Sequence, residues 1–336
     1  MGEATIRDVA RRAEVSVASV SRALNGLDNV RAETRERIIA AAAELGYVPH
    51  AGARSLSLAR AHAIGVVLPD LHGEFFSECV RGMDREASRR GYLLLLSNMH
   101  DESDQAAVAL RTMRGRVDGL LVMAPHVGGE ALERILPRGI PSVMINCPGE
   151  FETRPSIRFD NEAGAEAMVD HLAANGYKHI VHIAGPETNV DAIERAHGYR
   201  LAMRRLGLHA RVIAGNFSEE AGEEAARAIL ASREPCDAIF AANDMMAIGA
   251  LHTLRAHGKR VPEDIAVAGF DDVPLARYLA LSTVRVRIAE IGARAVARLI
   301  ELLDGSDSGS GCEMHTPDLV ARATTAAKSA SGASRG

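Results

Sequence analysis

The sequence predicts an N-terminal, all-α helix-turn-helix head joined to an α/β body of two doubly wound parallel-sheet lobes. Three observations carry this prediction. Short helical patterns fill the first 48 residues. From residue 63, apolar runs of strand length alternate with amphipathic helical stretches, the pattern of a parallel sheet covered on both faces. The body, roughly 270 residues long, exceeds what one such sheet packs around a single core, so it divides in two. The composition, 336 residues with 47% hydrophobic and 25% charged, supplies more than one core.

In the head, TIRDVARRA (5–13) opens on a threonine cap and SVASVSRAL (16–24) opens on Ser16. RAETRERIIAAAAELG (31–46) stops at Gly46, with Pro49 shortly after. Ile6, Val9, Ala10, Val15, Val20, Leu24, Ile38, Ile39, Ala42 and Leu45 are enough for one small core. With Val20 and Leu24 turned inward, Val17, Ala18, Ser21, Arg22 and Asn25 face out. Ser16, Ser19 and Ser21 offer small hydroxyls to phosphate oxygens, and Arg22 is a fork that fits guanine O6 and N7. Spacing alone leaves two readings open, a solvated face and a base-reading face.

In the body, one series of strand patterns is AIGVVL (63–68), YLLLL (92–96), DGLLVM (118–123) and PSVMI (141–145). A second is HIVHIA (179–184), ARVIA (210–214), DAIFA (237–241) and IAVAGF (265–270). Ligands of such sheets bind beyond the carboxyl ends of the strands. Those ends carry Asp70, Asn146, Asp160, Asn243, Asp244, Asp271 and Asp272, carboxylates and amides suited to a hydroxyl-rich ligand. Asp160 and Asp272 fit helix caps equally well. GSDSGSG (305–311) reads as a flexible loop and AAKSASGASRG (326–336) as a disordered tail.

The net charge of −5 is unevenly spread. Residues 1–60 carry nine arginines against seven carboxylates, so a head of +2 sits on a body of −7. No apolar run is long enough to span a membrane, and the charged N-terminus lacks a signal peptide's apolar core, so a cytoplasmic protein is expected. Cys79, Cys147, Cys236 and Cys312 are widely spaced without C-x-x-C, which reads as reduced thiols and not a disulfide framework or zinc site. No H-E-x-x-H, Walker loop or dinucleotide fingerprint occurs. GASRG (332–336) matches G-x-S-x-G only within the tail. Neither an enzyme nor a cofactor is expected. A small-molecule-binding protein without DNA function would have no use for the helix-turn-helix.

Several stretches carry a resemblance: TIRDVARRAEVSVASVSRALN, ETRERIIAAAAELGYVPHAGARSL, IGVVLPDLHGEFF, AGPETNVDAIERAHGYRLAM, FAANDMMAIGAL and DIAVAGFDDVPLARY. Together they resemble the LacI/GalR family of bacterial transcriptional regulators over nearly the whole chain. The resemblance implies a homodimeric repressor with a body of the type I periplasmic-binding-protein-like kind, bound to a near-palindromic operator. The implied domains are a DNA-binding head (1–48), a hinge (49–61), an effector-binding body (62–325, with lobes 62–160 plus 288–325, and 161–287) and the tail. Val17, Ala18 and Arg22 match positions that face bases. Thr5, Ser16, Ser19, Ser21, Asn25, Thr34 and Tyr47 complete the implied DNA contact. In the hinge, Ala53 and Arg54 adjoin Leu56, the implied wedge into the minor groove. For the effector, the resemblance implies Phe75 and Phe76 from the first lobe and Arg195, Asp244 and Asp271 from the second. Phe217 would stack, with Asn189 and Asp191 nearby. A sugar is the expected effector, a purine or other small polar ligand the alternative. Glu14, Arg31, His50 and Gly52 depart from the family pattern. Glu14 stands where the turn glycine is usual, and Arg31 where a Ser or Thr caps the third helix.

Overall fold

The computed structural model describes residues 4–25, 30–47, 60–71, 73–99, 103–151, 153–306 and 310–328. By packing, the chain divides into two units: Met1–Ala63 with Gly115–Asp118, and Ile64–Arg114 with Gly119–Gly336.

The first unit holds α1 (Ile6–Arg12), α2 (Val17–Leu24) and α3 (Ala32–Glu44). Thr5 and Asp8 form a capping box that starts α1, and Ser16 caps α2 by accepting from the Ser19 amide at 3.1 Å. Arg31 offers α3 no side-chain cap. Val9, Ala10, Ala13, Val20, Ala23, Ile38, Ala41 and Ala42 form the core, flanked by Ile6, Val15, Leu24, Leu45 and Tyr47. Ile39, expected in that core, is 51% exposed. The buried stripe of α3 runs 38, 41, 42 and 45, so the neighbouring isoleucine faces outward. Glu14 adopts φ +52°, so the turn does take a left-handed residue and fills it with a side chain that disfavours that conformation. His50, Gly52, Ala53, Arg54 and Leu56 lie outside the described residues.

In the second unit, six strands order as β11-β5-β4-β3-β1-β2. They are β1 (Ala63–Leu68), β2 (Leu93–Asn98), β3 (Gly119–Met123), β4 (Ser142–Ile145), β5 (Ser156–Phe159) and β11 (Cys312–His315). The pairs β1–β3, β3–β4, β4–β5 and β5–β11 are parallel. A second parallel sheet orders as β7-β6-β8-β9, from β6 (Ile180–Ile183), β7 (Arg211–Ile213), β8 (Ala238–Ala241) and β9 (Ala266–Ala268). All eight sequence-predicted strands are present. The pattern missed β5, β11 and the short antiparallel ribbon of β10 (Thr283–Arg285) with β12 (Asp318–Val320). Each is short and carries a polar or charged residue (SIRF, TVR, CEMH, DLV), so no apolar run marks it in the sequence.

The helices of this unit are α4 (Glu74–Arg89), α5 (Ser103–Met113), α6 (Gly129–Ile135), α7 (Asn161–Ala174), α8 (Val190–Arg205), α9 (Glu219–Ala231), α10 (Asp244–Ala256), α11 (Pro274–Tyr278) and α12 (Ile288–Leu303). α4 and α12 pack backbone to backbone. A Cβ at Gly82 would lie 1.9 Å from the Ala289 carbonyl oxygen, and one at Gly292 2.3 Å from that of Cys79.

The chain passes between the lobes three times: after β5, between β10 and α12, and after β11. Residues 318–325, expected with the first lobe, belong with the second. There β12 pairs with β10, and Thr324 Oγ1 accepts from the Ser282 amide at 2.8 Å. The start of the expected tail is also ordered. The Tyr177 hydroxyl donates to the Ala326 carbonyl at 2.7 Å, and Lys328 Nζ reaches Asp237 at 2.8 Å. No described helix is long and apolar enough to cross a membrane.

Candidate functional site

In the head, α2 presents the face that the sequence singled out. Val20 and Ala23 are buried, while Val17, Ala18 and Arg22 are exposed, Val17 by 41%. Arg22 rests on its own helix, Nε donating to the Ala18 carbonyl at 3.2 Å, and its guanidinium needs only a rotamer change to extend. Ser16 and Ser19 share a hydroxyl contact at 2.9 Å at the N-terminus of α2. Asn25 Nδ2 donates to Ser21 Oγ at 3.4 Å at the other end of that helix. Thr5 donates its hydroxyl to Asp8 at 2.6 Å, holding the Asp8 carboxyl below its usual range. Thr34 and Tyr47 are half-buried, Tyr47 against the head's core. Arg35, unremarked in the sequence, closes the C-terminus of α2 by donating to the Ala23 carbonyl at 3.1 Å.

In the body, a cavity of about 230 Å³ opens where the strand ends of the two lobes face each other. Of the expected effector residues, Asp70, Phe75, Phe76, Asn189, Asp191, Arg195, Phe217, Asn243 and Asp271 line it. Arg195, 3% exposed, is held from three sides. Its Nε donates to Asn161 Oδ1 at 2.9 Å, its Nη1 donates to the Ala242 carbonyl at 2.6 Å, and its guanidinium lies 3.9 Å above the Phe270 ring. Nη1 also sits 3.2 Å from Asp271 Oδ1 as an ion pair. That buried oxygen meets no aligned donor among the described residues. Burial pushes the Asp271 carboxyl up to about 7, against the pull of Arg195 and with the help of Asp191.

Asp191 accepts from Asn146 Nδ2 and from Asn161 Nδ2, the latter at 2.8 Å, and burial raises its carboxyl too. Asn189 caps α8 by accepting from the Asp191 and Ala192 amides. Asn243 caps α10 and donates to the Phe217 carbonyl at 2.9 Å, holding Phe217 at φ +72°. The Phe217 ring passes so close to Gly185 that a Cβ there would lie 2.4 Å from it. Asp271, at φ +113°, is also strained, and such strain collects where a surrounding site over-determines a conformation.

Three expected effector residues do not line the cavity. Asp160 caps α7, accepting from the Ala163 amide at 3.0 Å. Asp244 is fully buried, accepting from Thr283 Oγ1 at 2.6 Å and from the Val273 amide at 2.9 Å. Burial and the neighbouring Asp271 carry its carboxyl well above the usual range. Asn146 is buried behind the cavity, accepting from the Phe159 amide while donating to Asp191, so it positions that carboxylate. Asp272 caps nothing; it bridges Arg285 and Arg322 at 2.6 Å each. Met123, Pro125, His126, Thr188, Asn216, Ser218 and Met245 line the cavity and were not foreseen. Most follow β3, β6 or β7, so the strand-end rule that found Asp70, applied to every strand, finds them.

Residues 5–50 match the family model for bacterial regulatory proteins of the lacI family, and residues 169–325 match the periplasmic binding protein-like domain. Over 333 residues the chain is 34% identical to the HTH-type transcriptional repressor CytR of Escherichia coli K12, covering 96% of this chain and 97% of that one. In three dimensions it is similar to the lac repressor dimer bound to operator and the anti-inducer ONPF, with TM-score 0.87 and 30% identity over 97% of this chain and all of that one. It is also similar to the transcriptional regulator CelR in complex with cellobiose, with TM-score 0.70 and 29% identity over 96% and 99% of the two chains.

Proposed function

Since the chain belongs to the lacI family of bacterial regulatory proteins, we propose that it is a repressor in which α2 reads an operator and the cavity between the lobes takes the controlling ligand. The relatives are DNA-binding regulators, and we assign this chain a regulator's work in the cytoplasm, not catalysis. The protein acts as a dimer on a near-palindromic site, as the lac repressor dimer sits on its operator. Val17, Ala18 and Arg22 meet base edges. Thr5, Ser16, Ser19 and the N-terminus of α2 meet phosphates, and residues 49–61 with Leu56 enter the minor groove.

The observation that carries the ligand reading is the Arg195–Asp271 pair, buried and aimed into a cavity shared by two lobes. Asp271 Oδ1 accepts and the guanidinium donates, which suits adjacent hydroxyls. A sugar is therefore the first choice, and the cellobiose-bound relative supports it. A purine is the second, favoured by the three phenylalanines on the cavity wall. A ligand that prefers one angle between the lobes shifts the protein toward the DNA affinity of that angle, with a coupling of about 1–3 kcal/mol.

The test has two parts. Selection from a near-palindromic library should enrich one site, bound with a log–log salt slope steeper than about −4. A thermal-shift screen of sugars and purines should then find a ligand that also changes affinity for that site. Failure to enrich any palindrome would remove the DNA reading. A ligand that binds without moving operator affinity would remove the coupling.

A further inference from the structure

The cavity holds more negative charge than its one guanidinium balances. Its lining contributes Asp70, Asp191 and Asp271 against Arg195, and no lysine. Arg195 is partly committed: Asp271 pairs with its charge, and Asn161 and the Ala242 carbonyl take two of its five N–H donors. Burial is the main cause that lifts the Asp271 carboxyl to about 7, with Asp191 adding to it against the pull of Arg195.

Two of the helix N-termini at the cavity, the usual alternative source of anion donors, are spent as well, while that of α4 has no side-chain cap. Asn189 takes the first amides of α8, and Asn243 takes one of α10. Each N-terminus facing the cavity also carries its own acid in the first turn: Glu74 on α4, Asp191 on α8 and Asp244 on α10. A phosphate or carboxylate entering this space would lose water and meet carboxylates in exchange.

The rest of the wall is apolar. Phe75 and Phe76 meet edge to face with ring centroids 5.2 Å apart, and Phe217, Met123 and Met245 add further apolar surface. A bare polyol would leave these groups without a partner. A ligand with a hydroxylated ring and a flat or apolar second group satisfies both halves of the wall.

We propose that the effector is an uncharged glycoside, a sugar ring joined to an aromatic or apolar group, and that Asp70 and Asp191 are the residues that turn away its phosphate esters. This rests on the cavity being the effector site of a DNA-binding regulator. Nucleosides and aryl glycosides share the required chemistry, and the experiment separates them.

The full-length protein is titrated by calorimetry with adenosine, cytidine and uridine, with 4-nitrophenyl glucoside and galactoside, and with the phosphate monoester of each. Free ribose, glucose and galactose serve as controls. At least one neutral glycoside should bind, and which arm holds it names the source. Its phosphate ester should bind about 100-fold more weakly, and the free sugar should also lose affinity. Asp70→Asn should narrow the ratio of ester to parent affinity to under about tenfold, the ratio being the readout whatever happens to the parent's own affinity. Asp191→Asn, checked by melting for a folded chain, should do the same. A phosphate ester that binds as well as its parent overturns the proposal. So does a free sugar that matches the glycoside, or a panel with no binder. Operator binding by the same preparation separates the two levels. A protein that retains its selected operator yet prefers esters loses only this inference, whereas one that never engages DNA loses the regulator reading beneath it.

Discussion

Glu14 shows how a single residue departs from the physics of its position. At φ +52° it occupies a conformation that glycine adopts without penalty. Glu14→Gly should therefore stabilise the head by about 0.5–1 kcal/mol, read as slower hydrogen exchange of the α3 amides; faster exchange would mean the glutamate holds the turn in some other way. Asp271 makes a second residue-scale prediction. Its carboxyl titrates near 7, up from its ordinary 3.8, and a ligand hydroxyl needs the ionised form as acceptor. Affinity should rise with pH and level off above about 7, falling roughly tenfold per unit well below it. The same shift works the other way on the empty protein. Stability from this group is complete below pH 3.8 and is lost as pH rises through about 7. Calorimetric titration between pH 5.5 and 8.5 checks the affinity profile, and a flat curve would show that Asp271 is not the acceptor. At this scale the sequence is ambiguous for a physical reason. Asp160, Asp244 and Asp271 all stand just past strand ends, yet one caps a helix, one is bonded within the core and one faces the cavity. Nothing in residue type separates them; the direction of each side chain does.

At the scale of elements, α2 was the most legible part of the chain, because a short amphipathic helix fixes its outward face once two inward residues are known. Its function is testable by Arg22→Ala. Operator discrimination should fall by about 1–3 kcal/mol at one base position, measured by competition among operators changed one pair at a time; equal loss on every sequence would make Arg22 a phosphate contact. The body strands were legible for a different reason. Buried parallel strands are near-continuous apolar runs, and β1, β3, β4, β6 and β8 are buried throughout. The crossing segments β10, β11 and β12 were not, since charged and polar residues interrupt each of them and leave no apolar run. The contact of α4 with α12 was equally hidden. It depends on two glycines whose missing side chains matter only when the partner helix is in place. Gly82→Ala should push these helices apart and cost roughly 1–3 kcal/mol, seen as a lower denaturation midpoint of the body. An unchanged midpoint would mean the helices yield freely.

At the scale of the whole molecule, β2 ends the six-stranded sheet with apolar side chains outward: Leu93 is 72% exposed, Leu96 45% and Leu95 38%. An apolar edge strand requires a cover, and a dimer contact through β2 would supply one. Leu93→Lys should shift the protein toward monomer in sedimentation and weaken operator binding with it. A variant that stays dimeric would move the interface elsewhere. The two-lobe plan was readable from the two series of strand patterns, and the resemblance implied the crossings near residues 160 and 288, whereas the third crossing, after β11, was not readable. The route of the chain between the lobes has a consequence for how the molecule comes into being. Synthesis proceeds from the N-terminus, and domains generally fold as they emerge. The DNA-reading head is therefore complete while most of the message is still untranslated. The first lobe must wait: its strand β5 has an open side until residues 312–315 leave the ribosome, and the second lobe lacks its last ribbon until 318–320 follow. A nascent chain thus acquires the part that recognises a gene long before the part that listens to the cell. Residues 312–320 close both lobes.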